Sequence, residues 1–298
     1  MNSRQVNRVA IIGVGLIGGS FGMALKQRGL AGTVVGIGRN PERLRRAVEL
    51  GAIDSWSTDL ESGVRDADLI YLATPVGLEL DFIRRIVPAA KDGCIITDAG
   101  STKREICRGA DALVRDRMSF VGGHPMAGSE AAGVGAADPE LFADAAYVLT
   151  PTASTGPDAL AAVRGLAEAV GSRVIIMDPE VHDRSAAVIS HLPHLIAAAL
   201  VSLTHSQSLR DPQALDLIAG SFKDITRVAS SPPVLWRDIC LTNVRAISET
   251  VESFQQILEE GLKAIESGDA EAVEEWFGEA KRVRDTLFPP NEGEDKRP

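Results

Sequence analysis

At 298 residues the chain is long enough to build two hydrophobic cores. It is 45% hydrophobic and 24% charged, which excludes wholesale disorder, and its net charge of −10 excludes the broad basic face that nucleic-acid or anionic-membrane binding needs. No stretch reads as a secretory leader, no apolar run approaches about 20 residues, and the cysteines (Cys94, Cys107, Cys240) are few and scattered, so the expectation is a soluble cytoplasmic protein with reduced thiols, no disulfide framework, no membrane contact and no nucleic-acid partner.

The first element is the most informative. Val9-Ala10-Ile11-Ile12 has β character, and Gly13-Val14-Gly15-Leu16-Ile17-Gly18 follows directly, before an apolar stretch at 21–25. This is strand, glycine turn, helix, with the glycines at G-x-G-x-x-G. Gly13 permits the sharp turn, Gly15 lets a pyrophosphate approach bare backbone, and Gly18 lets the helix lie close to the sheet. Free N–H groups of the first helical turn, those of Leu16 and Ile17 among them, then face the phosphates. The alternative, a purely structural turn, stays open on this motif alone.

Further strands are expected at 33–37, 68–74, 94–98, 119–122, 147–150 and 173–177. Helices alternate with them, one starting at Asn40-Pro41-Glu42 (cap, proline at the first turn, acid) and one spanning 102–116. This rhythm implies an α/β fold, with an N-terminal Rossmann-like, doubly wound, mostly parallel sheet over residues 1–178. The rhythm ends at Asp178-Pro179. Beyond it the pattern is helical: 181–204 interrupted by Pro193, a short piece at 215–218, one long helix over 233–265 and another over 269–287. Residues 179–288 are therefore expected to form an all-α domain whose surplus apolar faces pack against a second copy, a homodimer. Residues 289–298 are expected to be a disordered tail.

Candidate site residues cluster at strand ends. An NAD site places an acid about twenty residues after the glycine turn; here Gly38 and Arg39 occupy that place, which suits a 2′-phosphate, unless Arg39 is only a solvated surface residue. Thr74-Pro75 and Asp98-Ala99-Gly100-Ser101 end strands at the carboxyl edge, where α/β folds bind ligands; Ser101 reads equally as a helix cap. His124 lies in a Gly/Pro-rich loop past the fifth strand, as a general base or a structural histidine. His191 and His194 lie three apart; without a nearby acidic ligand they are not read as a metal site. His182 and His205 read as surface or helix-end residues. The segment 222–227 carries Lys223 and Arg227 around Asp224, either a solvated cluster or a carboxylate site with Arg227 as bidentate clamp.

Together the segments GLIGGS (15–20), DAGSTK (98–103), GGHPMAGSE (122–130), SHLPH (190–194), FKDITR (222–227) and LWRDI (235–239) resemble the prephenate dehydrogenase family of tyrosine biosynthesis, prephenate, arogenate and cyclohexadienyl dehydrogenases included, from residue 9 to about 287. The resemblance implies a Rossmann-like domain with a helical dimerisation domain, and NAD(P)-dependent oxidative decarboxylation of prephenate to 4-hydroxyphenylpyruvate or of arogenate to tyrosine. It implies His124 as the base that takes the ring-hydroxyl proton and Ser101 as its hydrogen-bonding helper. It assigns Arg227 to the ring carboxylate, His191 and Ser129 to the pocket lining, and Glu130 to its entrance. His194, which arogenate-restricted members can lack, implies acceptance of prephenate. Gly38-Arg39 departs from members with an Asp there and favours NADP or dual cofactor use. The rival readings are a β-hydroxyacid-type dehydrogenase, whose helix-borne lysine is missing over 178–202, and a non-catalytic dinucleotide sensor, which has no need of His124, Ser101 and Arg227.

Overall fold

The computed structural model describes residues 6–114, 117–128 and 131–289. Its strands are β1 (Val6–Ile12), β2 (Ala31–Ile37), β3 (Ser55–Ser57), β4 (Leu69–Leu72), β5 (Ile95–Asp98), β6 (Ser119–Pro125), β7 (Ala146–Thr150) and β8 (Arg173–Ile176). They form one sheet in the order β3-β2-β1-β4-β5-β6-β7-β8. All pairings are parallel except β6 with β7, where His124 faces Val148. Fully buried, β-branched runs such as Val9-Ala10-Ile11-Ile12 are what a parallel sheet covered on both faces demands. One face packs Phe21, stacked on Tyr71 at 4.1 Å, and the other packs Ile70, Ile83 and Ile96. The chain order reverses between β1 and β4, so the crevice outside their carboxyl ends is the topological switch point at which such sheets bind ligands.

The connecting helices are α1 (Leu16–Gln27), α2 (Pro41–Glu49), α3 (Leu60–Val64), α4 (Val76–Ile86), α5 (Arg104–Val114) and α6 (Pro157–Ala169). After β8 come α7 (Pro179–Ala186), α8 (Leu192–Ser208), α9 (Gly220–Thr226), α10 (Pro233–Thr242), α11 (Val244–Ser267) and α12 (Ala270–Leu287). Residues up to Ile247 form one compact unit and those from Ser248 a second. Within the second, α11 and α12 meet where Gly261 lies against Trp276, so closely that a Cβ there would come within 2.7 Å of the indole. Ile257, Leu262, Ile265 and Phe277 remain exposed.

The structure departs from the sequence reading in several places. β3 is an additional strand, illegible because it is three residues long and its Trp56 is exposed. The long helix expected over 233–265 is broken at Asn243, whose backbone leaves the helical region and whose side-chain amide bonds elsewhere. Segment 222–227, whose sequence shows little helical pattern, lies almost wholly in α9, with Thr226 bonded back to the Phe222 carbonyl. Pro193 does not interrupt a uniform helix: a π-helical turn, Ala187–His191, precedes it, and the proline falls in the first turn of α8, where no N–H is needed. The helical run Pro179–Ser208 is long and apolar enough to cross a membrane by length and composition, contrary to the expectation that no run approached that length. His182, Asp183 and His191 of this run are nonetheless buried inside the first unit. The tail residues 290–298 lie outside the described residues.

Candidate active site

The crevice at the switch point is built by the glycine turn. Gly13 has φ of +92°, and a Cβ on it would sit 2.4 Å from the Ala73 carbonyl oxygen, so only glycine fits between β1 and β4. A Cβ on Gly18 would collide with the Gly13 carbonyl at 2.2 Å, which seats α1 tightly on the turn. Gly15, by contrast, faces open space. The cleft beside it measures about 1490 Å³ and is lined by Gly13, Gly15, Gly38, Arg39, Thr74 and Pro75, with Arg43, Arg46 and Arg85 also in its wall. Thr74 carries a buried hydroxyl with no partner among the described residues, an unsatisfied group pointing to an occupant. These features fit a dinucleotide: bare backbone for the pyrophosphate, a helix N-terminus behind it, and arginines in the wall for a phosphorylated ribose.

The second half of the site lies along β5 and β6. Lys103, wholly buried, pairs its ammonium with Asp98 Oδ2 and donates to the Gly123 carbonyl at 2.8 Å. Asp98 also accepts from the Gly100 N–H at 2.8 Å and the Gly123 N–H at 2.9 Å. The pair thus clamps both backbone groups of the residue preceding His124. Burial penalises the charge on Lys103, yet the negative charge beside it, Asp98 foremost, outweighs that and holds its pKa above the ordinary value. Glu79 belongs to the same cluster: a Cβ on Gly100 would meet Glu79 Oε2 at 2.8 Å and Asp98 Oδ2 at 2.9 Å. Among the described residues neither Glu79 oxygen has a donor. Burial, then the negative Asp98, pushes its pKa well above the carboxylate range, so Glu79 is held protonated with its proton facing Asp98. The cluster is one cation, one anion and one neutral acid.

His124 itself is 9% exposed. Its Nδ1 lies 2.8 Å from His182 Nε2, and His182 Nδ1 lies 2.8 Å from Asp183 Oδ1. Burial, followed by His182, Lys103 and His191 nearby, holds the His124 pKa well below 6.5, so the ring is neutral at physiological pH. Ser101, half-buried, lies in the loop between β5 and α5 on the same carboxyl edge.

The helical segments close over this edge. The π-helical turn carries His191 into the interior, where Asn243 Nδ2 donates to its Nδ1 at 3.3 Å and to the Asp183 carbonyl at 2.9 Å. The amide nitrogen can only donate, so the neutral His191 carries its proton on Nε2. Burial, chiefly, pushes the His191 pKa down to about 4. His194 donates from Nδ1 to the Ser190 carbonyl and stacks on Trp236 at 3.8 Å; Trp236 meets His191 edge-on at 6.0 Å. The Trp236 indole N–H is buried without a partner among the described residues. Arg227, exposed at the end of α9, lies near enough to join burial in lowering the His194 pKa.

The structure therefore brings His124, His191, His194 and the Ser101 loop into one unit, with Arg227 beside His194 and the Gly13–Pro75 crevice on the same sheet edge. Ser129 and Glu130 lie outside the described residues. His182, read as a surface or helix-end residue, is 2% exposed: α7 turns it inward, toward the end of β6. Asp183, Glu79, Trp236 and Asn243 were not singled out individually. Glu79 had a legible signal, since it occupies a stripe position among Val76, Ile83 and Ile86 where a solvated acid does not belong.

Comparison with known proteins gives a consistent picture. Residues 21–176 match the family model described as prephenate dehydrogenase, nucleotide-binding domain, and residues 178–279 match prephenate dehydrogenase, dimerization domain. The chain is 38% identical over 286 residues to the prephenate dehydrogenase of Bacillus subtilis strain 168, covering 96% of this chain and 77% of that protein. It is 36% identical over 281 residues to the cyclohexadienyl dehydrogenase of Zymomonas mobilis, covering 93% and 94% respectively. Its structure superposes on that of prephenate dehydrogenase from A. aeolicus, in complex with hydroxyphenyl propionate and NAD+, with a TM-score of 0.90 at 34% identity, over 96% of this chain and 100% of that one.

Proposed function

The chain belongs to the prephenate dehydrogenase family, and from that premise we propose how its own residues carry out the reaction. It is an NAD(P)-dependent dehydrogenase that oxidises and decarboxylates prephenate to 4-hydroxyphenylpyruvate in tyrosine biosynthesis. Arogenate is a second substrate of the same slot. A nicotinamide cofactor held in the glycine crevice would supply the acceptor for the hydride that leaves the carbon bearing the ring hydroxyl. His124 takes the hydroxyl proton on its free nitrogen, and Ser101 hydrogen-bonds the same oxygen. Arg227 holds the ring carboxylate until the C–C bond breaks and its electron pair restores the aromatic ring. His191, with its proton on Nε2, and the unpartnered indole N–H of Trp236 supply donors for the remaining polar groups, and His194 packs against that indole.

One observation supports this reading above the others: a buried histidine kept neutral beside a buried lysine, at the carboxyl edge of the sheet and next to a dinucleotide crevice. A base that must accept a proton at neutral pH needs that environment. Cofactor reduction followed by absorbance with prephenate, arogenate and a panel of hydroxyacids tests it; turnover of a hydroxyacid but neither cyclohexadiene would sink it.

Three finer assignments belong to the same proposal. Gly38 and Arg39, with Arg43 and Arg85 lining the same cleft, favour NADP or dual use over strict NAD. The exposed apolar residues of α11 and α12 are covered by a second copy, in a homodimer. The nucleotide-binding domain is residues 1–178, the substrate and dimerisation domain is 179–288, and the enzyme works in the cytoplasm.

A further inference from the structure

The hydrogen bonds behind His124 have a direction that a count of protons fixes. Asp183 Oδ1 accepts the Lys103 backbone N–H at 2.7 Å, and Oδ2 accepts that of Arg104 at 2.9 Å. These belong to the start of α5, so the Asp183 side chain, reaching from α7, caps the free N–H groups of another helix. Both oxygens act as acceptors at the positive end of a helix dipole, which is the setting of an ionised carboxylate. Asp183 Oδ1 also lies 2.8 Å from His182 Nδ1, so that nitrogen is the donor. A neutral imidazole has one N–H, which leaves His182 Nε2 bare. That atom, 2.8 Å from His124 Nδ1, must therefore accept, and His124 must carry its proton on Nδ1. The rings meet at 70°, the edge-on approach that lets an N–H of one address the lone pair of the other.

We infer that His182 and Asp183 are positioning residues for the reaction: Asp183 fixes the tautomer of His182, and His182 fixes that of His124, leaving His124 Nε2 as a bare lone pair toward the substrate. This inference rests on the reading of His124 as the base. The opposite polarity would need His182 to carry a second proton and give it to His124. That would bury a further cation 2.8 Å from His124, in a site already faced by Lys103 from the β5–α5 loop and His191 from the π-helical turn. Asp98 is already committed to Lys103. His182 and Asp183 are each 2% exposed, so water does not substitute for either partner. The chain acts again once His124 has taken the substrate proton: the imidazolium's Nδ1–H stays bonded to His182 Nε2, and the carboxylate behind it offsets the new charge. The logic is that of the orienting carboxylate in Ser-His-Asp sites, with an imidazole interposed.

The test is nitrogen NMR on the full-length protein labelled with ¹⁵N-histidine, which reports five rings, the His124 signals being assigned by their loss in His124→Asn. In wild type at neutral pH, His124 Nδ1 is expected at a protonated shift and Nε2 at a bare one; a proton on His124 Nε2 overturns the inference. Asp183→Asn turns an acceptor into a donor toward His182, which reverses the chain and places the proton on His124 Nε2. Its kcat should fall by roughly 10³–10⁴ while KM and cofactor affinity stay within about twofold, as a wrong tautomer does. A folded Asp183→Asn enzyme with wild-type kcat overturns the inference, and if that variant does not fold the wild-type spectrum alone decides. His182→Gln, which keeps an acceptor for the His124 N–H, should retain more kcat than His182→Leu; equal losses count against the inference. Failure of the base reading looks different: His124→Asn would keep its turnover whatever the spectrum shows.

Discussion

Replacing Lys103 with methionine removes one ammonium from a place no solvent reaches. Lys103, Asp98 and Glu79 are all 0% exposed, so the variant keeps the Asp98 charge without its cation and leaves the Gly123 carbonyl without its 2.8 Å donor. Stripping one partner from a buried ion pair costs about 3–5 kcal/mol, and an orphaned buried carbonyl about 1–3 kcal/mol more. The two losses share one geometry and do not add fully; Asp98 also keeps the Gly100 and Gly123 N–H groups, so the expected loss is about 4 kcal/mol. The control is Glu79→Gln. Glu79 is held protonated, so a neutral amide of the same shape should cost no more than about 1 kcal/mol at pH 6. The native state keeps a proton on Glu79 that the unfolded chain releases near its ordinary value of 4.5, so wild-type stability falls as pH rises above that value, and Glu79→Gln should flatten the slope. Urea unfolding followed by tryptophan fluorescence at fixed protein concentration reads both. A Lys103→Met loss below about 1 kcal/mol, or a Glu79→Gln loss equal to it, would refute the picture of one cation, one anion and one neutral acid.

The remaining predictions address the site directly. His191, whose pKa is pushed down to about 4, stays neutral in the fold while the unfolded chain takes up a proton near 6.5. Stability should therefore be lost as pH falls from 6.5 toward about 4, by roughly 3 kcal/mol from this residue, and a His191→Gln variant with an unchanged acid limb in its unfolding curve would contradict that. Arg227→Ala should raise KM for prephenate by the equivalent of about 2–4 kcal/mol, with Arg227→Lys rescuing only in part; an unchanged KM returns Arg227 to a solvated role. A Cβ on Gly38 would meet only Leu44, at 3.4 Å, so Gly38→Asp is tolerated and should swing preference toward NAD. Arg39→Ala should weaken NADP about 10–150-fold and spare NAD, as kcat/KM with both cofactors will show.

What the sequence made legible was whatever a local rule dictates. The turn at Gly13 is imposed by sterics between neighbouring backbone atoms, so the glycine spacing announces it, and the apolar strand runs report burial on both faces. His124 was visible because the glycines and proline around it mark a strand end, although it lies not in a loop but within β6, which runs on to Pro125 and pairs His124 with Val148. His182 and Asp183 were not, because their meaning comes from α5 and β6: Asp183 caps a helix 79 and 80 residues earlier in the chain, and His182 reaches a ring 58 residues away. The break at Asn243 was hidden for the same reason, its amide being spent on the Asp183 carbonyl and His191. Helical periodicity reports which face of a segment is apolar; it does not report that one residue leaves the helix to complete a site.

The claim on which the rest depends is that His124 is the base. Steady-state turnover of prephenate by His124→Asn, measured beside its affinity for the nicotinamide cofactor, tests it most directly. The expected result is a fall in kcat of about 10²–10⁴ with cofactor binding nearly unchanged, because asparagine keeps a hydrogen-bonding side chain and loses the titratable nitrogen. A variant that binds cofactor normally and keeps more than about half of wild-type kcat would contradict it.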